Sequence, residues 1–160
     1  MNQELIIRIL ADGAAIPLVL LGSYALIFKI PKGKRWESYK RILLAGLTAY
    51  LLAKLIGNIY QPSMERPFEL LGASAGASFL NNPGFPSDHT LFLTAIVCAV
   101  WFESRQKLIT IILVILLFLV AIGRVLALVH TPADVIGGII IAMFGAIWYL
   151  NDGGLLKTKK

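Results

Sequence analysis

Gly84-Phe85-Pro86-Ser87-Asp88-His89-Thr90 puts a turn, a helix cap and a histidine directly ahead of an apolar run, Leu91 to Phe102. Pro86 cannot sit inside a helix, whereas Ser87 is a good N-cap residue, so the stretch predicts a helix starting at Ser87. His89 then lies in the first turn, beside backbone N–H groups with no partner inside the helix, and such a helix start attracts anions. The other histidine, His130, lies in Gly123-Arg124-Val125-Leu126-Ala127-Leu128-Val129-His130-Thr131-Pro132-Ala133-Asp134. It too stands at the start of an apolar segment. Two histidines so placed are the first pointer to chemistry.

The surroundings of these two stretches are those of a membrane protein. The chain has 160 residues, 58% of them hydrophobic, and a mean hydropathy of +0.77. A soluble domain is typically about 45–50% apolar. A membrane-spanning helix needs roughly 20 mostly apolar residues. Five candidates are present: about Leu5 to Ile30, interrupted by Arg8, Asp12, Gly13 and Pro17; about Tyr39 to Tyr60, containing Lys54 and Asn58; about Ser87 to Glu103; about Leu108 to Val129; and about Pro132 to Leu150. The predicted fold is an all-α integral membrane protein, a bundle of about five transmembrane helices, with residues 1–160 forming one membrane-embedded domain. Gly72 to Pro86 reads as a loop, and Ser63 to Leu71 as a short interfacial helix. The single cysteine, Cys98, excludes an intrachain disulfide, and the N-terminus lacks the charged start and small-residue cleavage site of a secretory signal.

Orientation follows from the basic residues of the short connections. Lys29, Lys32, Lys34, Arg35, Lys40 and Arg41 lie in the first connection, Arg105 and Lys107 in the third, and Lys157, Lys159 and Lys160 in the tail. With five spans these regions share one side, predicted to be cytoplasmic, and they hold eleven of the fifteen basic residues. Arg8, Lys54, Arg66 and Arg124 fall on or near the other side, where they either pair with Asp12, Glu65 or Glu69 or serve a ligand. Both histidine stretches fall there too. Spans three and five run inward from that side, so two helix N-termini, two arginines and two histidines converge. Such a place suits a phosphate or diphosphate. The third span is short, which leaves a recess for a lipid headgroup.

Thr131-Pro132-Ala133-Asp134 reads in two ways. Thr131 can cap a helix, with Pro132 its first residue and Asp134 in place of the capping-box acid. Asp134 can also accept a hydrogen bond from one nitrogen of His130, which fixes the tautomer and aims the other nitrogen as a nucleophile. His89 is the matching candidate for a general acid that protonates the leaving oxygen. A metal site built from Asp88, His89, His130 and Asp134 is a further reading. Arginines around the site favour an anion instead, and the two histidines are not at the i, i+4 spacing of a helical metal clamp. Arg8, Asp12 and Lys54 within spans keep open a non-enzyme, a transporter or lipid-phosphate-binding membrane protein.

Arg66-Pro67, Pro86-Ser87-Asp88-His89 and Gly123-Arg124 followed by His130 and Asp134 resemble, in order, the three signatures of the type 2 phosphatidic acid phosphatase superfamily. The likeness runs from Lys54 to Gly138. Arg66-Pro67-Phe68, the Ser-Asp-His form of the second signature and the stretch Val129 to Gly138 are most similar to bacterial undecaprenyl-diphosphate phosphatases. The resemblance implies a phosphohistidine formed on His130, oriented by Asp134, with His89 as general acid. It implies Arg66 and Arg124 as phosphate ligands, aided by Ser87 and Asp88 at the helix start. It implies no metal and no cofactor. The partners are a lipid bilayer and a membrane lipid phosphate, with no nucleic acid. The location is a cell membrane, with the site facing the extracytoplasmic side. Three departures stand out. Ile59 occupies the place of the family's lysine, with Lys54 twelve residues before Arg66 as the substitute ligand. Gly123 replaces the family's common serine. Five spans are counted where the family core has six.

Overall fold

The computed structural model describes residues 2–61, 65–80, 82 and 84–150. Lys157, Lys159 and Lys160 of the basic tail, and Ser63 of the expected interfacial helix, lie outside the described residues. All regular structure among the described residues is helical. The elements are α1 (Gln3–Lys29), α2 (Lys32–Ile59), the single turn α3 (Pro67–Leu70), α4 (Asp88–Ala99, continued by a π-helical turn Val100–Ser104), α5 (Lys107–Leu126) and α6 (Pro132–Leu150). The segment between α3 and α4 is an irregular loop, as its Gly, Ala, Ser and Asn content predicts.

Four helices, α1, α2, α5 and α6, are long and apolar enough to cross a membrane. The fifth predicted span, α4, is shorter, with twelve α-helical residues followed by the five-residue π turn. It is the central post of the bundle and touches each of the four long helices. Leu91, Leu93, Val97, Ala99 and Val100 on it are buried. One core gathers Leu18 and Ala25 of α1, Leu93, Val97 and Val100 of α4, and Leu113, Leu117 and Val120 of α5. A second joins Ala49 and Ala53 of α2 to Leu91 of α4 and to Ile141 and Ala142 of α6. Lipid offers no hydrophobic drive for helices to associate, and in the second core small residues, Ala49, Ala53 and Ala142, let the backbones approach. Gly138 is the clearest case: a Cβ there would collide with Thr90 Oγ1 and Ser87 O. Leu43, Leu51, Ile115, Phe118 and Phe144 are exposed, as a lipid-facing surface requires.

The interruptions in α1 do not break it. Pro17 has no N–H to give the carbonyl of Gly13, and the helix widens just before it. Over Ile9–Gly13 the turn is π-helical, closed by Ala14 N donating to Ile9 O at 2.8 Å. Such single-turn widenings occur often at functional sites. Asp12 lies in this turn.

The two ends of the bundle differ. Near the start of α2 and the end of α4, Arg41 donates from Nε and Nη2 to Glu103 at 2.6 and 2.8 Å. The predicted site residues gather at the opposite end, where α4 and α6 begin and α5 ends.

Candidate active site

The start of α6 satisfies both readings of Thr131 to Asp134 at once. Thr131 Oγ1 accepts from Asp134 N at 3.2 Å, and Asp134 Oδ2 accepts from Thr131 N at 2.8 Å. This is a capping box. The same Oδ2 lies 3.5 Å from His130 Nδ1. That is long for a hydrogen bond, and Nδ1 makes no other bond. Contacts of this kind commonly tighten when a ligand arrives. One carboxylate therefore caps the helix and faces the imidazole, which leaves Nε2 as the nitrogen turned away from Asp134.

The segment carrying His130 is tied down along its length. Ala127 O accepts from Gly76 N at 3.0 Å, Leu128 O from Phe68 N at 3.0 Å, and Val129 O from Arg66 Nη1 at 2.6 Å. Three consecutive carbonyls are thus held by α3, its N-cap Arg66 and the loop that follows. Leu128 adopts a positive φ of 59°, which turns the chain from α5 toward α6. His130 is 5% exposed. Burial is the main influence that holds its pKa below the ordinary histidine value. Asp134 pulls the other way, and the positive charges of Arg124 and Arg66 add to the depression. The ring is therefore neutral at neutral pH, the form in which a nitrogen can attack.

Arg124 is the largest fully buried side chain among the described residues, 1% exposed. Its Nη1 donates to Asp12 Oδ1 at 2.9 Å, and its Nε is buried with no hydrogen-bond partner. Ser87 is completely buried, and its Oγ also lacks a partner. Its backbone N–H donates to Asp134 O at 3.0 Å, which ties the start of α4 to the start of α6. Thr90 Oγ1 adds bonds to Ser87 O at 3.2 Å and Val135 O at 3.1 Å. His89, in the first turn of α4, lies within the electrostatic reach of Arg124, Asp12 and His130. His130, Asp134, Arg124, Ser87 and His89 are thereby brought together.

The remaining predicted ligands are placed differently. Arg66 is buried, but its guanidinium is engaged by the protein: beyond Val129 O, Nη2 donates to Leu80 O, Asn82 O and Asn82 Oδ1, each at 3.0 Å. It stitches three loops together, and it contributes charge to His130. Burial is the main influence that lowers its own pKa, opposed by Asp134. Asp88 turns toward the rim, accepting from Asn82 Nδ2 at 2.9 Å and facing Lys54 Nζ at 3.9 Å. Lys54 is half exposed and reaches Asp88 rather than the buried cluster. Among the described residues no group of three or more His, Cys, Asp or Glu side chains could hold a metal ion.

Asp12 is the site residue that sequence reasoning left without a role. Its signal was present as an acid inside an apolar stretch, which is costly in a membrane unless partnered. Nothing along the chain shows which of four cations it meets.

The structure is thus a helical membrane bundle that gathers two histidines and two buried arginines at one end. The chain belongs to the PAP2 superfamily, whose family model matches residues 38–154. Members of that family are phosphatases, so the chain is, at the general level, a phosphoric-ester hydrolase working on membrane lipid phosphates. No curated protein and no solved structure matches it significantly.

Proposed function

We propose that this protein is a metal-independent lipid phosphatase that removes the terminal phosphate of undecaprenyl diphosphate through a phosphohistidine. The observation that carries the reading is a set of three buried polar atoms without partners in one cluster: Ser87 Oγ, Arg124 Nε and His130 Nδ1. Leaving a buried donor unmade costs roughly 1–3 kcal/mol, and native proteins keep such costs where a ligand relieves them. A phosphoryl group offers acceptor oxygens to Ser87 and Arg124 while His130 closes on Asp134.

The chemistry follows from the placement. His130 Nε2 attacks phosphorus, and a P–N bond forms as the bond to the leaving oxygen breaks. His89 gives its proton to that oxygen. The neutral His89 then takes a proton from water, whose oxygen attacks phosphorus, releasing inorganic phosphate and restoring His130. Arg124, Arg66 and the N–H groups at the start of α4 offset charge on the equatorial oxygens throughout. Asp88 and Lys54 hold the mouth of the site, where Lys54 meets the inner, lipid-linked phosphate of a diphosphate.

The apolar cleft between α2 and α4 supports a lipid substrate. It begins at Lys54 and Asp88, is lined by Ala49, Leu91, Phe92 and Ala95, and has a volume of about 360 Å³. Its polar mouth and apolar depth match a headgroup and the first part of its tail. The basic residues of the opposite end support an extracytoplasmic site in a cell membrane, in one membrane-embedded domain that serves cell-wall lipid turnover. Phosphatidylglycerol phosphate and phosphatidic acid are the competing substrates.

The test is phosphate release by purified protein in detergent with EDTA, on undecaprenyl diphosphate, phosphatidylglycerol phosphate and phosphatidic acid in parallel. Release is expected to persist in EDTA and to be fastest with undecaprenyl diphosphate. His130→Ala is expected to lower kcat by about 10⁴-fold or more, as loss of a covalent nucleophile does. Normal turnover by His130→Ala would overturn the mechanism.

A further inference from the structure

The buried atoms that a phosphoryl group would meet include Nε on one edge of Arg124, and what selects that edge lies in α1. We infer that Asp12 is a positioning residue for Arg124, holding Nη1 so that the Nε–Nη2 edge faces the phosphoryl group, and that Gly123 is what lets Asp12 reach it. This rests on the phosphatase reading above.

Both oxygens of Asp12 are committed. Oδ1 accepts from Arg124 Nη1 at 2.9 Å, and Oδ2 accepts from Ser78 N at 2.9 Å. The carboxylate therefore joins the buried arginine to the loop between α3 and α4, which leads into Ser87. A guanidinium binds an oxyanion best through two parallel N–H groups, and its fork geometry is rigid. With Nη1 taken, the two remaining parallel donors are those of Nε and Nη2. Nε is the buried atom that has no partner. Asp12 also offsets one positive charge beside His89, on which its field acts.

Gly123 supplies the room. A Cβ at 123 would collide with Ala11 N, Ala11 Cα and Leu10 C. The backbones of α1 and α5 touch there, one residue before Asp12 on one helix and one residue before Arg124 on the other. The π-helical turn over Ile9–Gly13 places this stretch of α1 against α5. The glycine that departs from the family's serine thus has a local reason: the hydroxyl is absent because the first helix occupies its place. The family match begins at residue 38, so Asp12 lies outside it.

The test uses the full chain in detergent and orthovanadate as the phosphoryl probe, with affinity measured by calorimetry. Wild type, Asp12→Asn, Arg124→Lys and the double variant form a cycle, and Gly123→Ala perturbs the same contact from the other helix. Asp12→Asn keeps the shape and removes the charge; it is expected to weaken orthovanadate about ten-fold, the scale of one charge-assisted bond. Gly123→Ala should do the same. In the Arg124→Lys background, which has no fork to aim, Asp12→Asn should cost less than about two-fold more, since coupled residues are non-additive. Activity should fall mainly in kcat. Unchanged affinity in Asp12→Asn, or a full and additive loss on top of Arg124→Lys, would overturn the positioning role alone. Failure of wild type to bind orthovanadate would overturn the phosphate site itself.

Discussion

At the scale of single residues, the site depends on groups that each do two things. Asp134 caps α6 through Thr131 and faces His130 with the same oxygen. Arg66 clamps Val129, Leu80 and Asn82 while its charge acts on His130. The two duties of Asp134 can be separated. Thr131→Ala removes the hydroxyl that accepts from Asp134 N but leaves the carboxylate near the ring. It is expected to lower stability by about 1 kcal/mol, the usual cost of a lost cap, while kcat stays within a few-fold of wild type. Asp134→Asn should lose both, with kcat down by about 10²-fold or more because a misoriented imidazole no longer presents the right nitrogen. Thermal unfolding and turnover measured on the same preparations decide this. Equal loss of activity in both variants would mean that the cap, not the carboxylate, matters to catalysis.

At the scale of elements, the crossing of α4 and α6 carries the site. Ser87 N to Asp134 O joins their first turns, and Gly138 lets the backbones meet at Ser87 and Thr90. This explains why α4 can be short. Its start is anchored on a neighbouring helix rather than on a loop beyond it. Gly138→Ala is expected to force the helices apart and cost about 1–3 kcal/mol, as overpacking does. The same shift breaks the Ser87–Asp134 bond, so activity should fall further than stability does. Unfolding in detergent together with orthovanadate affinity measures both. An alanine variant as stable and as tight-binding as wild type would show that the crossing has slack.

At the scale of the whole molecule, charge is divided between the ends. The basic connections surround the end that holds Arg41 and Glu103, and the buried arginines belong to the site. The rule that short basic loops stay inside is what supports the proposed outward-facing site. Protein reconstituted with one orientation should hydrolyse lipid phosphate only in the leaflet exposed to the face of His130. A single reactive cysteine placed at Trp36 or at Ser74, in a Cys98→Ala background, reports which face that is. In intact cells an impermeant thiol reagent should label the Ser74 position and spare the Trp36 position. The reverse pattern would invert the topology.

The sequence by itself determined the helical membrane class, the ends of most helices and the cluster of His89, Arg124, His130 and Asp134. These are carried by apolar run length, by Pro and cap residues, by the short spacing of Arg124, His130 and Asp134, and, for His89, by the alternation of spans that brings its helix start to the same side. The start of the last span at Pro132 is read to the residue because a threonine cap and a proline mark it. What the sequence left open depends on contacts between distant segments. Asp12 meets Arg124 across 112 positions, and Arg66 meets Val129 across 63. Lys54 turns to Asp88 at the rim instead of the buried cluster. No local rule encodes such pairings, because they follow from where backbones can touch. Two glycines, Gly123 and Gly138, decide that by having no side chain at all, and a missing atom has no pattern to read until its neighbour is in place.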